Sequence, residues 1–140
     1  MIAARIFLER SLVDLRQFAV NTPDGRRLDA TEAGDLGGRP VVVHHGTPGS
    51  SLLAPSWVAD AKRRGIRLIT FARAGYSTST RLPARSVGQV VEDLDVVLDF
   101  LGIDRFSSWG VSAGGPHVLA AACISGVAPY SADGLDQGNG

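Results

Sequence analysis

Trp109-Gly110-Val111-Ser112-Ala113-Gly114-Gly115-Pro116-His117 is the stretch that decides how this chain is read. It opens as the end of a short apolar strand, turns sharply and starts a helix, whose apolar positions continue at Val118, Leu119, Ala121 and Ala122. Ser112 is the centre of a G-x-S-x-G pattern, with Gly115 behind it. So sharp a turn holds its central residue at a strained backbone angle, and the flanking Gly110 and Gly114 must be tiny for strand and helix to pass each other. The strain has a use. It lifts the Ser112 hydroxyl clear of the sheet, at a helix N-terminus where backbone N–H groups can hold a developing oxyanion. Without the strand before it and the helix after it, the five-residue pattern alone would say little.

Working outward, Phe106–Gly110 is the strand that delivers Ser112. Before it lies the clearest helix, opened by Ser86 with Gln89 three residues on as a capping box and closed by Gly102. Val87, Val90, Val91, Leu94, Val97, Leu98 and Leu101 repeat along it at helical spacing. Its acidic residues Glu92, Asp93, Asp95 and Asp99 are read as a solvated outer face rather than a carboxylate site. Arg67–Phe71 is a further strand, followed by the loop Arg73-Ala74-Gly75-Tyr76-Ser77. A short helix over Pro55–Arg64 has Pro in its first turn, Trp57, Val58 and Ala61 on one face and Gly65 to close it. Val41–His45 reads as a buried strand of a parallel sheet. The loop Gly46-Thr47-Pro48-Gly49-Ser50 leaves its C-terminal end, where α/β proteins place ligands. Phe18–Val20 and Arg27–Ala33 form a hairpin across Pro23-Asp24-Gly25, expected at an antiparallel edge. Residues 1–15 read as a weak helix or an extension. Strands alternating with helices predict an α/β fold, a mostly parallel sheet with flanking helices.

Composition narrows the function classes. The 140 residues fit one domain, and 44% hydrophobic residues suffice for a core. Lys+Arg and Asp+Glu balance at 14 each, so no charge favours nucleic acid or an anionic membrane surface. The single cysteine, Cys123, precludes an internal disulfide and is read as a packed small hydrophobe. No apolar run reaches membrane-spanning length, and Arg5, Glu9 and Arg10 interrupt the start of the chain, so the expected location is cytoplasmic. No residue set has metal-ligand spacing, and Gly110, Ser112 and Gly114 do not make a phosphate-binding glycine fingerprint. Neither metal nor cofactor is expected.

Three motifs together resemble the α/β-hydrolase superfamily. His44-His45-Gly46-Thr47-Pro48-Gly49-Ser50 is similar to its oxyanion loop, Phe71-Ala72-Arg73-Ala74-Gly75-Tyr76-Ser77 to its D-R-P-G-Y-G-x-S loop, and Trp109–His117 to its nucleophile elbow. The resemblance implies that Ser112 is the nucleophile and that the backbone N–H groups of Thr47 and Ala113 form the oxyanion hole. Gly46 and Gly49 would let the loop approach the substrate, Gly110 and Gly114 would permit the elbow, and His45 would be structural. The implied partner is a small-molecule ester or amide, and the implied reaction is hydrolysis through an acyl-enzyme. Esterase, aminopeptidase and lactonase activities stay open, while dehalogenation is disfavoured because that branch uses Asp where Ser112 stands. Ala72 and Ala74 replace the usual Asp and Pro, which puts the order of their loop in doubt.

The same resemblance implies a catalytic acid and then a histidine base after the nucleophile. His117 follows Ser112 on one helix, ~7.5 Å along and ~140° round its axis, the wrong place for a base. His44 and His45 precede the serine, and Asp133 and Asp136 fall where related sequences enter a lid. Only Ile124-Ser125 separate the last helix from Gly126-Val127-Ala128-Pro129, where related sequences carry about ten more residues for the return crossover. The expectation is an extension over residues 1–17 and a partial, N-terminal α/β-hydrolase domain over 18–140, catalytically incomplete by itself. The alternative is a non-catalytic binding or interaction module built on that half-fold.

Overall fold

Successive residues of a strand face opposite sides of its sheet, and in this chain that alternation builds two apolar layers. A computed structural model of the protein describes residues 15–124 and 128–129. Its strands are β1 (Leu15–Asn21), β2 (Arg27–Gly34), β3 (Arg39–His44), β4 (Ile66–Phe71), β5 (Arg105–Gly110) and β6 (Ala128–Pro129); its helices are α1 (Pro55–Arg63), α2 (Val87–Leu101) and α3 (Gly115–Ile124). The strand order is β1-β2-β4-β3-β5-β6. β1 pairs with β2, and β2 with β4, antiparallel; the β4–β3, β3–β5 and β5–β6 pairs are parallel. The hairpin is therefore the antiparallel edge of a parallel sheet, turning at Gly25 with φ +84°. β1 starts at Leu15, three residues ahead of the strand expected at Phe18.

Val42, Ile69 and Phe106 pack with Val90, Val91, Leu94, Val97 and Leu98 of α2. Their strand neighbours Val43 and Leu68 pack on the other face with Leu53 and with Ala61 of α1. Helix α2 is capped as the sequence predicts. The Gln89 N–H donates to the Ser86 hydroxyl (3.2 Å), the Ser86 N–H donates to Gln89 Oε1 (2.7 Å), and Gly102 closes the helix at φ +68°. Ser86→Ala is expected to cost about 1 kcal/mol, read as a lower urea midpoint with an unchanged slope.

Three expectations are corrected. Asp93 is not on the outer face. It is buried and receives both ends of the Arg26 guanidinium, at 2.6 and 2.9 Å. Arg26 comes from the β1–β2 turn, and Asp93 lies between Val90 and Val97 on the buried stripe of α2. Cys123 is exposed rather than packed. The loop after β4 is held in place despite Ala72 and Ala74, by Asp29 of β2. Its Oδ2 accepts from the hydroxyls of Ser51 (3.0 Å) and Ser77 (3.1 Å), and its N–H donates to Ser79 Oγ (2.9 Å), which in turn donates to the Ala72 carbonyl (2.7 Å). One carboxylate so ties the loop leaving β3 to the loop leaving β4. The expectations for residues 1–14 and for Asp133 and Asp136 lie outside the described residues. Among the described residues, no helix is long and apolar enough to cross a membrane.

Candidate active site

β3 and β5 are neighbours, with Val43 beside Trp109 and His44 beside Gly110, so their exit loops emerge side by side. After β5, Val111 is extended and Ser112 switches to φ +50° before one turn of 3-10 helix leads into α3. That conformation costs a side-chain-bearing residue about 1–2 kcal/mol. The Val111 N–H donates to the His44 carbonyl (3.0 Å) and the Gly114 N–H to the Val111 carbonyl (2.8 Å). Two glycines permit the close approach. A Cβ on Gly110 would lie 2.8 Å from the Gly114 carbonyl carbon, and one on Gly114 would lie 2.2 Å from the His44 carbonyl oxygen. Ser112 and Ala113 are exposed at the top of this turn, with Gly114 buried beneath them.

The loop leaving β3 runs against the same turn. A Cβ on Gly46 would meet the Val111 carbonyl at 3.2 Å and Ser112 Cβ at 3.5 Å. Thr47, the next residue, is exposed, and its hydroxyl lies 3.2 Å from the Tyr76 hydroxyl. Gly49 curls back over the His45 ring, where a Cβ would collide with Nδ1 at 2.2 Å. The loops bearing Thr47 and Ala113 thus converge on Ser112.

His45 lies beneath that loop as a neutral ring with one tautomer. Nε2 accepts from the Arg73 backbone N–H (3.1 Å), which leaves Nδ1–H to donate to the Gly46 carbonyl (2.7 Å). Burial, reinforced by the Arg73 charge, holds its pKa below the ordinary histidine value. Arg73, to which the sequence reading gave no role, is 2% exposed. Its Nη1 donates to the His45 carbonyl (2.6 Å), its Nη2 to the Gly46 carbonyl (3.3 Å), and its guanidinium lies 5.4 Å from the Tyr76 ring centre.

His44 and His117 stack with ring centres 6.2 Å apart, buried behind the turn. Burial first, then neighbouring positive charge, pushes both down to about 4. No described residue hydrogen-bonds the Ser112 hydroxyl. None of the three histidines is therefore set against the serine. A cavity of about 210 Å³ opens beside the turn, lined by Val43, Leu52, Leu53, Trp57 and Val111 together with Gly46, Gly49 and Ser50 of the loop leaving β3. At its rim the Trp57 and Trp109 rings meet at 4.7 Å. No group of three or more metal-ligating side chains occurs among the described residues.

Comparison with known proteins agrees with this fold. The sequence model of the alpha/beta hydrolase fold matches residues 39–129, which runs from β3 through the Ser112 turn to β6. Epoxide Hydrolase A from Mycobacterium thermoresistibile is 29% identical over 77% of this chain and 34% of its own, with a TM-score of 0.63. An epoxide hydrolase from Vigna radiata superposes with a TM-score of 0.67 at 18% identity, covering 78% of this chain and 34% of its own. A structure from a study of carboxylesterases of the Thaumarchaeon Nitrososphaera gargenis gives 0.71 at 20% identity, covering 80% of this chain and 42% of its own. The chain thus spans between a third and somewhat over two fifths of the length of these three structures. No curated protein sequence matches it.

Proposed function

We propose that this chain, which belongs to the α/β-hydrolase fold family, carries the nucleophile and oxyanion pocket of a serine hydrolase acting on a small-molecule ester or amide. The observation that carries the reading is Ser112 at φ +50° on a glycine-flanked turn, with Gly46 of the β3 loop against its Cβ. Ser112 Oγ would attack the carbonyl carbon, and the carbonyl oxygen, taking the negative charge, would lie between the N–H groups of Thr47 and Ala113. Each such donor is worth about 3 kcal/mol in the transition state. Collapse of the tetrahedral intermediate breaks the bond to the leaving alcohol or amine, which departs with a proton. Water then attacks the acyl-serine ester and restores the hydroxyl.

The nucleophile also bears on substrate class. A serine oxygen that opened an epoxide would form an ether, which has no carbonyl for water to attack, and the enzyme would stay alkylated. Attack on an acyl group forms an ester, which water reopens. Ser112 therefore favours acyl substrates, although several structural neighbours are epoxide hydrolases by name.

Among the described residues no base is set against the hydroxyl. Both ring nitrogens of His45 are engaged, and His44 and His117 are buried against each other. We read the chain as catalytically incomplete by itself. Intact-mass analysis after fluorophosphonate treatment tests this, with Ser112→Ala as control. The expected result is no labelling above the control in plain buffer, and labelling confined to Ser112 once concentrated imidazole supplies a base. Rapid stoichiometric labelling without imidazole would show that the chain contains its own base. Labelling of Ser112 in neither condition would overturn its role as nucleophile.

A further inference from the structure

We propose that Arg73 is a positioning residue of the oxyanion pocket. Its guanidinium holds the Gly46–Thr47 peptide so that the Thr47 N–H faces Ser112, and its charge draws an anion toward that N–H. The proposal rests on the reading of Thr47 and Ala113 as oxyanion donors.

The Gly46 carbonyl and the Thr47 N–H are the two ends of one peptide unit. A trans peptide points them in opposite directions. This one is trans, since the only cis bond found among the described residues is Thr47–Pro48. The carbonyl end is anchored twice from below, by His45 Nδ1–H at 2.7 Å and by Arg73 Nη2 at 3.3 Å. With that end drawn under the loop, the N–H end faces the opposite way. An anchor matters at this position because glycine crosses between backbone conformations that a Cβ would forbid. The guanidinium fork also suits the task. Nη1 takes the His45 carbonyl at 2.6 Å while Nη2 takes the next one along the chain. Lysine, a single point charge, cannot span two carbonyls in a fixed plane.

The charge adds a second effect. Arg73 is 2% exposed and pairs with no carboxylate among the described residues; two carbonyls and the face of Tyr76 are what it meets. A buried cation without a counter-ion is costly, and in a low-dielectric setting its field reaches further than in water. The exposed side of the loop it supports is where the oxyanion would form, so a negative charge there completes the pair. The buried carboxylate Glu32 shows what ordinary pairing looks like in this protein: it meets Arg16 at 2.7 Å and Arg67 at 2.6 Å.

The test is an amide-resolved NMR titration of the full chain with acetate, with acetamide as the neutral isostere. Acetate is expected to shift the Thr47 and Ala113 amides, and acetamide to leave them in place. Arg73→Gln should weaken the acetate response at least tenfold, and Arg73→Lys should fall between that variant and the native chain. A folded Arg73→Gln that binds acetate within twofold of the native chain overturns the role of Arg73 and leaves the oxyanion pocket standing. No response of Thr47 and Ala113 in the native chain overturns both. Should Arg73→Gln not fold, the native guanidinium protons decide. Held as described, they give resolved, slowly exchanging signals that move on adding acetate, whereas a single averaged signal exchanging with water overturns the proposal.

Discussion

Gly114→Ala is expected to destabilise the protein by about 3 kcal/mol or more, while Gly115→Ala, one residue on, leaves it as stable or slightly more so. The new methyl at 114 would lie 2.2 Å from the His44 carbonyl oxygen, 2.9 Å from its carbon and 3.1 Å from the His45 carbonyl oxygen. All three are main-chain atoms. No side chain can rotate out of the way, so relief requires parting the end of β3 from the turn after β5 and stretching the bond from the Val111 N–H to the His44 carbonyl. Overpacking costs about 1–3 kcal/mol, and a rigid obstacle puts this site at or beyond the upper end of that range. Gly115 has φ −54°, and a methyl added to it would meet nothing within 4 Å. Alanine there gains helix propensity and lowers the entropy of the unfolded chain, together worth about 0.5–1 kcal/mol. Urea midpoints of the two variants check the contrast. A loss below about 1 kcal/mol at 114 would mean that the turn is not wedged against β3. The same displacement would carry Ser112 away from Gly46, so imidazole-assisted labelling of Ser112 should fall in Gly114→Ala and persist in Gly115→Ala.

The turn was readable because its cause is local. Strand, strained serine, flanking glycines and helix start all lie within a few residues, and period-two and helical patterns place the surrounding elements as directly. What sequence reasoning missed depends on distant partners. Asp93 falls on the buried stripe of α2 by spacing, yet a carboxylate is assigned to solvent unless its partner is known, and Arg26 is 67 positions away. Asp29 reaches Ser51 and Ser77 at separations of 22 and 48 residues. Arg73 was visible within its loop motif, but its inward aim follows from the β3 loop 27–28 residues earlier, which no local pattern reports. The exposure of Cys123 has another cause. α3 is apolar all round, leaving Leu119 70% exposed, so its pattern does not mark which side faces the core.

Acidification from neutrality to about pH 4 is expected to weaken the fold through His44 and His117. In the folded protein both are pushed down to about 4, by burial first and then by positive charge: His117, Arg73 and His45 around His44, and Arg73, Arg85 and His45 around His117. In the unfolded chain they return to about 6.5. Above that value neither state binds protons, and the pair adds no pH dependence. Between 6.5 and 4 the unfolded chain takes up protons that the folded one refuses, so stability falls with pH; below 4 both states are protonated and the loss is complete. The gap corresponds to as much as about 3 kcal/mol per imidazole. His45, also lowered, adds to the loss below neutrality. Asp24, lowered to about 2 by its hydrogen bonds from Thr22 and Arg26, acts at more acid pH and leaves this window to the histidines. Urea midpoints measured from pH 7.5 to 4.5 should decline, and His117→Leu should flatten the decline. A flat native profile would overturn the prediction, and an unchanged slope in His117→Leu would locate the acid sensitivity elsewhere. Among the described residues, His44 Nε2 and His117 Nδ1 have no hydrogen-bond partner, and His117 sits on α3, the helix that follows the Ser112 turn. Charging the two rings places new cations beside Arg73 and behind the strained turn, so the structure that presents Ser112 is the part that acid should loosen.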